Sequence, residues 1–196
     1  MMINSKAGDT VSASVTRNTD PDARVRAGGV FKIQCIDKDG NLKWEAESHN
    51  LVVNQGLQSM NAVYFSAATQ ITTWYIGLYG AASSNNPAAG DTMASHAGWT
   101  EQTGYTISGN NTIRATCTFG TATTADPSVI TNSASPAAFS ITGTATIGGA
   151  FLTSSNTKGG TTGTLFSAAD FSAPGDRSVA NGDTLNVTYT FSLDAV

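Results

Sequence analysis

The sequence predicts an all-β fold: an antiparallel β-sandwich, jelly-roll-like or immunoglobulin-like, with one short helix and an extended N-terminal arm. Three observations predict it. Apolar residues alternate with Thr, Ser and Asn over 111–119, 138–152 and 184–193, as in strands that bury one face. Gly, Asn and Asp clusters separate these stretches and supply turns. Helical spacing of apolar residues is found in a single segment.

The N-terminal segment differs in character from the rest of the chain. Residues 1–27 are polar, mixed in charge and without periodicity, so we expect an extended arm, followed by a sandwich domain over 28–196. Met1 to Ile3 lead directly into polar residues, and no apolar run approaches the ~18 residues of a membrane span. We therefore expect no secretion signal and no membrane partner.

The first strands are predicted from alternation and a turn. Phe31, Ile33 and Cys35 alternate with polar residues, and Asp39-Gly40 then leads into a second run over 42–47. Asp-Gly between two alternating runs indicates a hairpin, because the turn requires a positive φ. The alternative is a calcium loop, but the acidic residues of 37–41 lack the later ligands and the distant Glu of such a loop.

The helix is predicted within 51–66, near 53–66. Val53, Leu57, Met60 and Tyr64 recur at spacings of three and four, which predicts a stripe that faces the core. Asn54 is the candidate N-cap, and Gly56 argues against the helix because glycine lowers helix propensity.

A central strand and a long loop are predicted next. Residues 74–79 are apolar on both faces, which is typical of a strand covered on both sides, or on one side by a partner. The loop over 80–98 has about 20 residues, and loops of that length in compact domains usually make contacts.

The second half of the chain is predicted to be β throughout. The run over 184–193 is the most regular alternation, and Asn181 to Asp183 supply the turn before it. The glycine-rich segment 158–163 lacks the Gly and Lys spacing of a phosphate-binding loop. Cys35 and Cys117 lie in predicted strands and are predicted to be buried thiols, with a single disulfide as the alternative.

Charge excludes one class of partner. Charged residues make up 12% of the chain, against ~25% in typical globular domains, and the net charge is -4. No cluster of Lys and Arg is present, because Asp20 and Asp22 dilute Arg17, Arg24 and Arg26. Direct nucleic-acid binding is therefore not expected. A surface of hydroxyls and amides is also easier to desolvate against a partner than a charged surface.

Residues capable of chemistry are sparse, and we predict no enzymatic activity, metal or cofactor. His49 and His96 with Asp91 or Glu101 would form a metal site, but no ligand spacing indicates one. Glu45 and Glu47 share a strand face, as a glycosidase pair would, but a solvated strand edge is the favoured interpretation.

Seven segments, taken as a set, carry a resemblance to a known family: 29–33, 39–45, 49–57, 74–79, 91–101, 145–158 and 178–189. Together they resemble virion structural proteins of tailed double-stranded DNA bacteriophages. The resemblance implies a capsid decoration, or cement, protein on the capsid surface, made in the cytoplasm of the host bacterium. Its implied partners are the major capsid protein and neighbouring copies of itself, as a homo-oligomeric dimer or trimer.

The capsid contacts are expected in the arm and the long loop, at Arg17, Arg24, Arg26, Asn85, Asn86, His96 and Trp99. The alternative is a tail, baseplate or fibre component, with or without host-glycan binding. Trp74, Tyr79 and Trp99 are its candidate sugar-stacking residues, against the simpler interpretation that they belong to the core. A particle-borne glycan hydrolase is a third, less favoured hypothesis.

Overall fold

The computed structural model describes residues 24–80, 87–171 and 175–195, which form twelve strands and one helix. The elements are β1 Val25–Ile36, β2 Leu42–His49, β3 Leu51–Val52, α1 Asn54–Phe65, β4 Trp74–Gly80, β5 Tyr105–Thr106, β6 Ala115–Cys117, β7 Ser128–Thr131, β8 Ala137–Ile141, β9 Ala145–Thr153, β10 Leu165–Asp170, β11 Arg177–Val179 and β12 Thr184–Ala195.

Two antiparallel sheets pack face to face and confirm the predicted sandwich. Sheet A has the order β2-β1-β12-β8-β5, with β7 also paired to β12. Sheet B has the order β3-β10-β9-β4-β6, with β11 also paired to β9. The main core lies between the sheets, where the inward residues of both are buried, among them Phe31, Ile33, Leu78, Phe139 and Val187.

The predicted hairpin joins β1 to β2. Gly40 has a φ of 87°, the conformation that favours glycine. The Asp37 carboxylate accepts hydrogen bonds from the backbone N–H groups of Asp39 and Asn41, both at 2.9 Å. The bond from Asn41 is the main reason that the pKa of Asp37 lies below its ordinary value. The acidic side chain that prompted the calcium alternative therefore stabilises the turn.

The N-terminal boundary lies slightly earlier than predicted. β1 begins at Val25, so residues 25–27, assigned to the arm from sequence, pair with Leu193–Ala195 of the last strand. The rest of the predicted arm, over 1–23, lies outside the described residues.

One predicted strand is two strands. The alternation over 138–152 continues without interruption, but β8 belongs to sheet A and β9 to sheet B. The chain crosses between the sheets at 142–144, where the apolar phase is preserved because both strands direct apolar residues to the same core. The strand predicted over 111–119 is likewise shorter, since its central part alone forms β6.

The helix forms where predicted but turns a different face to the core. Its N-cap is Val53 and not Asn54, and no side chain caps it. Val53 is buried, yet Leu57 and Tyr64 of the predicted core stripe are 40% and 84% exposed. The reason is Gly56: a Cβ there would lie 2.3 Å from the Phe166 carbonyl oxygen of β10, so the helix rests on the sheet through its glycine.

A buried amide joins the two strands that share one edge of β12. β12 pairs with β8 over Thr184–Val187 and with β7 over Thr190–Leu193. Between them, Asn132 accepts a hydrogen bond from the Tyr189 N–H at 2.7 Å and donates one to the Val187 carbonyl at 3.2 Å. The Asn132 side chain thereby satisfies backbone groups of β12 where no strand is opposite them.

Cys35 and Cys117 are both free and buried, one in each sheet, as the thiol interpretation predicted. Among the described residues, no helix has the length and apolar character needed to cross a bilayer.

Candidate functional site

The segment that follows the undescribed residues 81–86 packs on the outer face of sheet B. Met93 and Trp99 from this segment form a second apolar cluster with Tyr79 of β4 and Phe151 of β9. The Trp99 ring lies 5.3 Å from Tyr79 and 5.1 Å from Phe151, measured between ring centroids. β4 is therefore covered on both faces, as its sequence predicted.

Asp91 and His96 position Trp99 in this cluster. The Trp99 indole N–H donates to the Asp91 carboxylate at 2.9 Å, and the His96 ring stacks on the indole at 3.9 Å. The His96 Nδ1 is also 2.8 Å from the Trp99 carbonyl oxygen. Trp99 is 4% exposed, so its ring is in the core and unavailable to a partner in this conformation, which corrects its placement among surface contact residues.

The packing of the candidate sugar-stacking residues favours the simpler interpretation that they belong to the core. Tyr79 is fully buried, and the half-buried Trp74 packs edge-on against Phe166 with 5.3 Å between ring centroids. These aromatic rings, like that of Trp99, serve the packing of sheet B.

A buried ion pair lies beside this cluster. Arg114, 0% exposed, donates from Nε and Nη2 to the two oxygens of Glu101 at 2.9 and 2.8 Å. Arg114 also donates to the backbone carbonyls of Ser155 and Gly160, and the Gly159 N–H donates to Glu101 at 2.7 Å. The pair thus joins three segments that are distant in sequence, and the glycine-rich loop closes around it.

Arg114 is a residue that sequence alternation placed wrongly. Its position in the run over 111–119 assigned it to the solvent-facing side with Thr112 and Thr116. A lone arginine in a Thr-rich, charge-poor strand is the signal that could have identified it, because buried arginines need a partner carboxylate.

A polar cleft lies beside the edge strand β5, between this strand and the segments 111–112 and 157–158. Lys158 crosses it and donates from Nζ to the carbonyls of Thr103 and Tyr105 at 2.9 and 2.5 Å, with its ammonium 4.3 Å from the Tyr105 ring centre. Burial lowers the pKa of Lys158. The cleft has a volume of about 580 Å³, and its other lining residues are Thr106, Asn111, Thr112, Thr142 and Thr157. Its hydroxyl, amide and ammonium groups suit hydrogen bonding to a polar ligand.

A second partly buried ion pair joins the hairpin to the turn before β12. Asp183 accepts from the Lys43 ammonium and the Ala180 N–H, both at 2.8 Å, and from the Cys35 thiol at 3.6 Å. Burial opposes ionisation of Asp183, but Lys43 and Ala180 outweigh it and hold its pKa below the ordinary value. Burial, and then the adjacent Asp183, raise the pKa of Cys35 to about 12. Cys35 is accordingly a protonated, weakly reactive thiol.

The remaining candidates for chemistry are separate from one another. Glu45 and Glu47 are exposed on the edge strand β2, and Glu45 accepts a hydrogen bond from Gln34 and pairs with Lys32 at 3.2 Å. These contacts lower the pKa of Glu45, whereas a general acid needs a raised pKa. Across 24–80, 87–171 and 175–195, no group of three or more His, Cys, Asp or Glu side chains is placed to hold a metal ion.

The outer face of sheet A carries a row of small polar side chains. Along β12 these residues alternate with the buried ones, and each is partly exposed. We call them the hydroxyl lane: Thr184, Asn186, Thr188, Thr190 and Ser192. Val30, Lys32 and Gln34 of β1 lie beside the lane, opposite Thr190, Thr188 and Asn186.

The predicted contact residues fall into three groups. Arg24 and Arg26 are exposed at the start of β1, and Arg26 lies opposite Asp194 at one end of the hydroxyl lane. His96 and Trp99 pack together on sheet B. Arg17, Asn85 and Asn86 lie outside the described residues. Of the contact residues that the structure describes, Arg24 and Arg26 lie on sheet A, whereas His96 and Trp99 lie on sheet B. A capsid contact at Arg24, Arg26 or His96 stays a prediction.

Comparison with known proteins adds no further constraint: no protein-family model, no curated protein and no solved structure matches the chain. Its function is therefore argued from its own residues and surfaces.

Proposed function

We propose that this chain is a non-enzymatic structural protein of a tailed-bacteriophage particle, a decoration protein that binds the outer capsid and stabilises the head. The observation that carries the proposal is the hydroxyl lane, a row on the outer face of sheet A formed by four hydroxyl residues and one amide. The phage-like segments identified in the sequence supply the biological setting.

A row of neutral polar side chains is suited to docking on a large protein shell. Each hydroxyl or amide both donates and accepts hydrogen bonds, so it pairs readily with polar groups of a partner. Desolvating such groups costs far less than desolvating unpaired charges. A face of this kind gives modest affinity per copy, and repeated contacts across a symmetric shell would add to it through multivalency.

The charged groups with the best-defined partners form ion pairs that stabilise the fold. This supports the proposal, because docking would then rely on neutral polar groups and not on these charges. The Arg114–Glu101 pair joins segments that pack beside sheet B, and the Lys43–Asp183 pair joins the hairpin to the turn before β12. Binding to the shell should therefore depend little on ionic strength, since screening acts mainly on exposed charges.

A sedimentation assay tests the proposed docking face. The full chain is mixed with purified particles assembled without it, and bound protein is quantified after pelleting. A double variant, Asn186→Glu with Thr188→Glu, places two carboxylates in the hydroxyl lane and should weaken binding about 10-fold or more. The matched control is Thr116→Glu, on an exposed strand position of sheet B, which should bind as the unchanged chain does.

Equal binding by the lane variant and the control would reject the docking face, and no binding by the unchanged chain would reject the decoration role. Quantification of the chain in complete particles separates head from tail. A head decoration requires copies on the order of hundreds, whereas a tail, baseplate or fibre component follows the low-order symmetry of a closed ring. A count of about three, six or twelve per particle would favour the tail.

A further inference from the structure

The outward face of α1 is an exposed surface that the fold does not use. Residues separated by three or four positions along the helix form one exposed row, which we call the neutral stripe: Asn54, Leu57, Gln58, Asn61, Tyr64 and Phe65. Tyr64 and Phe65 are 84% and 80% exposed and pack edge-on against each other, with 5.2 Å between ring centroids. Exposed aromatic pairs of this kind are typical of the energetic centre of a protein interface.

The chain segments before and after the neutral stripe contain no charged residue. No Asp, Glu, Lys or Arg occurs between His49 and Asp91, a span that includes the helix and the segment after it. The stripe itself combines three apolar residues with three amides. A basic face, which would favour an anionic membrane or nucleic acid, is therefore lacking on this helix.

We propose that the neutral stripe is a self-association surface on which two copies of this chain pair about a two-fold axis. Such an interface brings each patch against the same patch, so a charge near the two-fold axis would lie close to the same charge of the other copy. A charge-free stripe avoids that repulsion. Its amides are self-complementary as well, because each one donates and accepts hydrogen bonds.

The area of the stripe is adequate for a dimer. Aromatic side chains bury about 150–250 Å² each, so Tyr64 and Phe65 together supply roughly 300 Å² per copy at their observed exposure. A stable interface buries about 800 Å² per partner. The remainder is available from the other stripe residues along a 12-residue helix, ~18 Å long, and from the exposed residues 66–70 that follow it.

Sedimentation velocity on the isolated full chain tests the proposal without any phage particle, so its result is independent of the proposed function. The unchanged chain should show a concentration-dependent monomer–dimer equilibrium with a dissociation constant below about 200 µM. Phe65→Asp should raise the dimer dissociation constant about 100-fold or more, since both copies lose an anchor and gain a like charge. Leu42→Asp, at a 57%-exposed leucine on β2, is the matched control and should leave the equilibrium unchanged.

Two further measurements make the outcome decisive. At a protein concentration well below the dimer dissociation constant, thermal unfolding of Phe65→Asp should match that of the unchanged chain, because the side chain is exposed in the monomer. Single cysteines introduced as Gln58→Cys or Asn61→Cys should form an intermolecular disulfide at one or both positions near the axis, and Thr116→Cys should not. A chain that stays monomeric, an unaltered dimer in Phe65→Asp, or cross-linking no better than at Thr116 would overturn the proposal.

Discussion

The buried Arg114–Glu101 pair should be among the most sensitive points of the fold. Arg114→Met removes four hydrogen bonds, two to Glu101 and one each to the Ser155 and Gly160 carbonyls. The Glu101 carboxylate would then remain buried with the Gly159 N–H as its remaining donor in the network. Breaking a buried pair from one side costs about 3–5 kcal/mol, because the other charge loses its partner without regaining water.

Urea denaturation followed by fluorescence measures this free energy of unfolding. For a chain of this length, each 1 kcal/mol corresponds to about 2–4 °C in Tm, so the melting temperature should fall by roughly 6–20 °C. The exposed pair Lys32–Glu45 is the matched control, with both side chains more than 40% exposed. Lys32→Met should cost about 0–1 kcal/mol, because water and salt screen an exposed pair.

A double variant isolates the origin of the loss. Adding Glu101→Met to Arg114→Met removes the orphaned carboxylate, and replacing both members of a buried pair by apolar side chains is often close to neutral. We therefore expect the double variant to be more stable than Arg114→Met alone by at least ~1 kcal/mol. Two results would refute the conclusion that Arg114 and Glu101 form a stabilising buried ion pair. One is that the stability losses of the two single variants simply add in the double variant. The other is that Arg114→Met costs no more than Lys32→Met.

Four further predictions concern the core. Asn132→Ala should cost about 2–4 kcal/mol in urea denaturation, because it leaves two buried backbone groups of β12 without partners; an unchanged midpoint would contradict this. Gly56→Ala should lower Tm despite the higher helix propensity of Ala, since the new Cβ would meet backbone, whereas Gly28→Ala, with nothing within 4 Å, should not. Cys35 and Cys117, whose pKa values burial raises to about 12, should resist a thiol reagent until the chain unfolds. Because the unfolded thiols ionise near pH 9 while the folded ones stay protonated, stability should fall as pH rises from about 9 to 12, which denaturation at several pH values would measure.

Strand alternation predicted the fold well where one backbone rule decides the outcome. In β12, Leu185, Val187 and Tyr189 are buried as expected, because successive side chains of any strand point to opposite faces. The hairpin at Gly40 was equally predictable, since its turn depends on local φ and on the short-range contacts of Asp37. Both features are determined within a few residues of chain.

The features that sequence reasoning missed depend on contacts between distant segments. Alternation over 138–152 does not record which sheet a residue joins, so the crossing at 142–144 was not apparent. Arg114 has the spacing of an exposed residue, but segments near residues 101 and 155–160 cover it. The helix face was wrong for a similar reason, because the close approach of Gly56 to Phe166 determines which side is buried.

The distribution of charge connects the two proposed surfaces. The edge strand β2 of sheet A carries Lys43, Glu45 and Glu47, and charged edges oppose the strand-to-strand association that an open sheet invites. The hydroxyl lane and the neutral stripe, by contrast, lie on a sheet face and on a helix and contain no charged residue. A molecule arranged in this way should associate through its faces and not through its edges. Because the two surfaces are separate residue sets, charges placed in the lane should weaken particle binding about 10-fold or more and leave the dimer intact. Phe65→Asp should weaken the dimer and leave particle binding intact, as measured at low protein concentration. Loss of both activities from either variant would show that the surfaces are not independent.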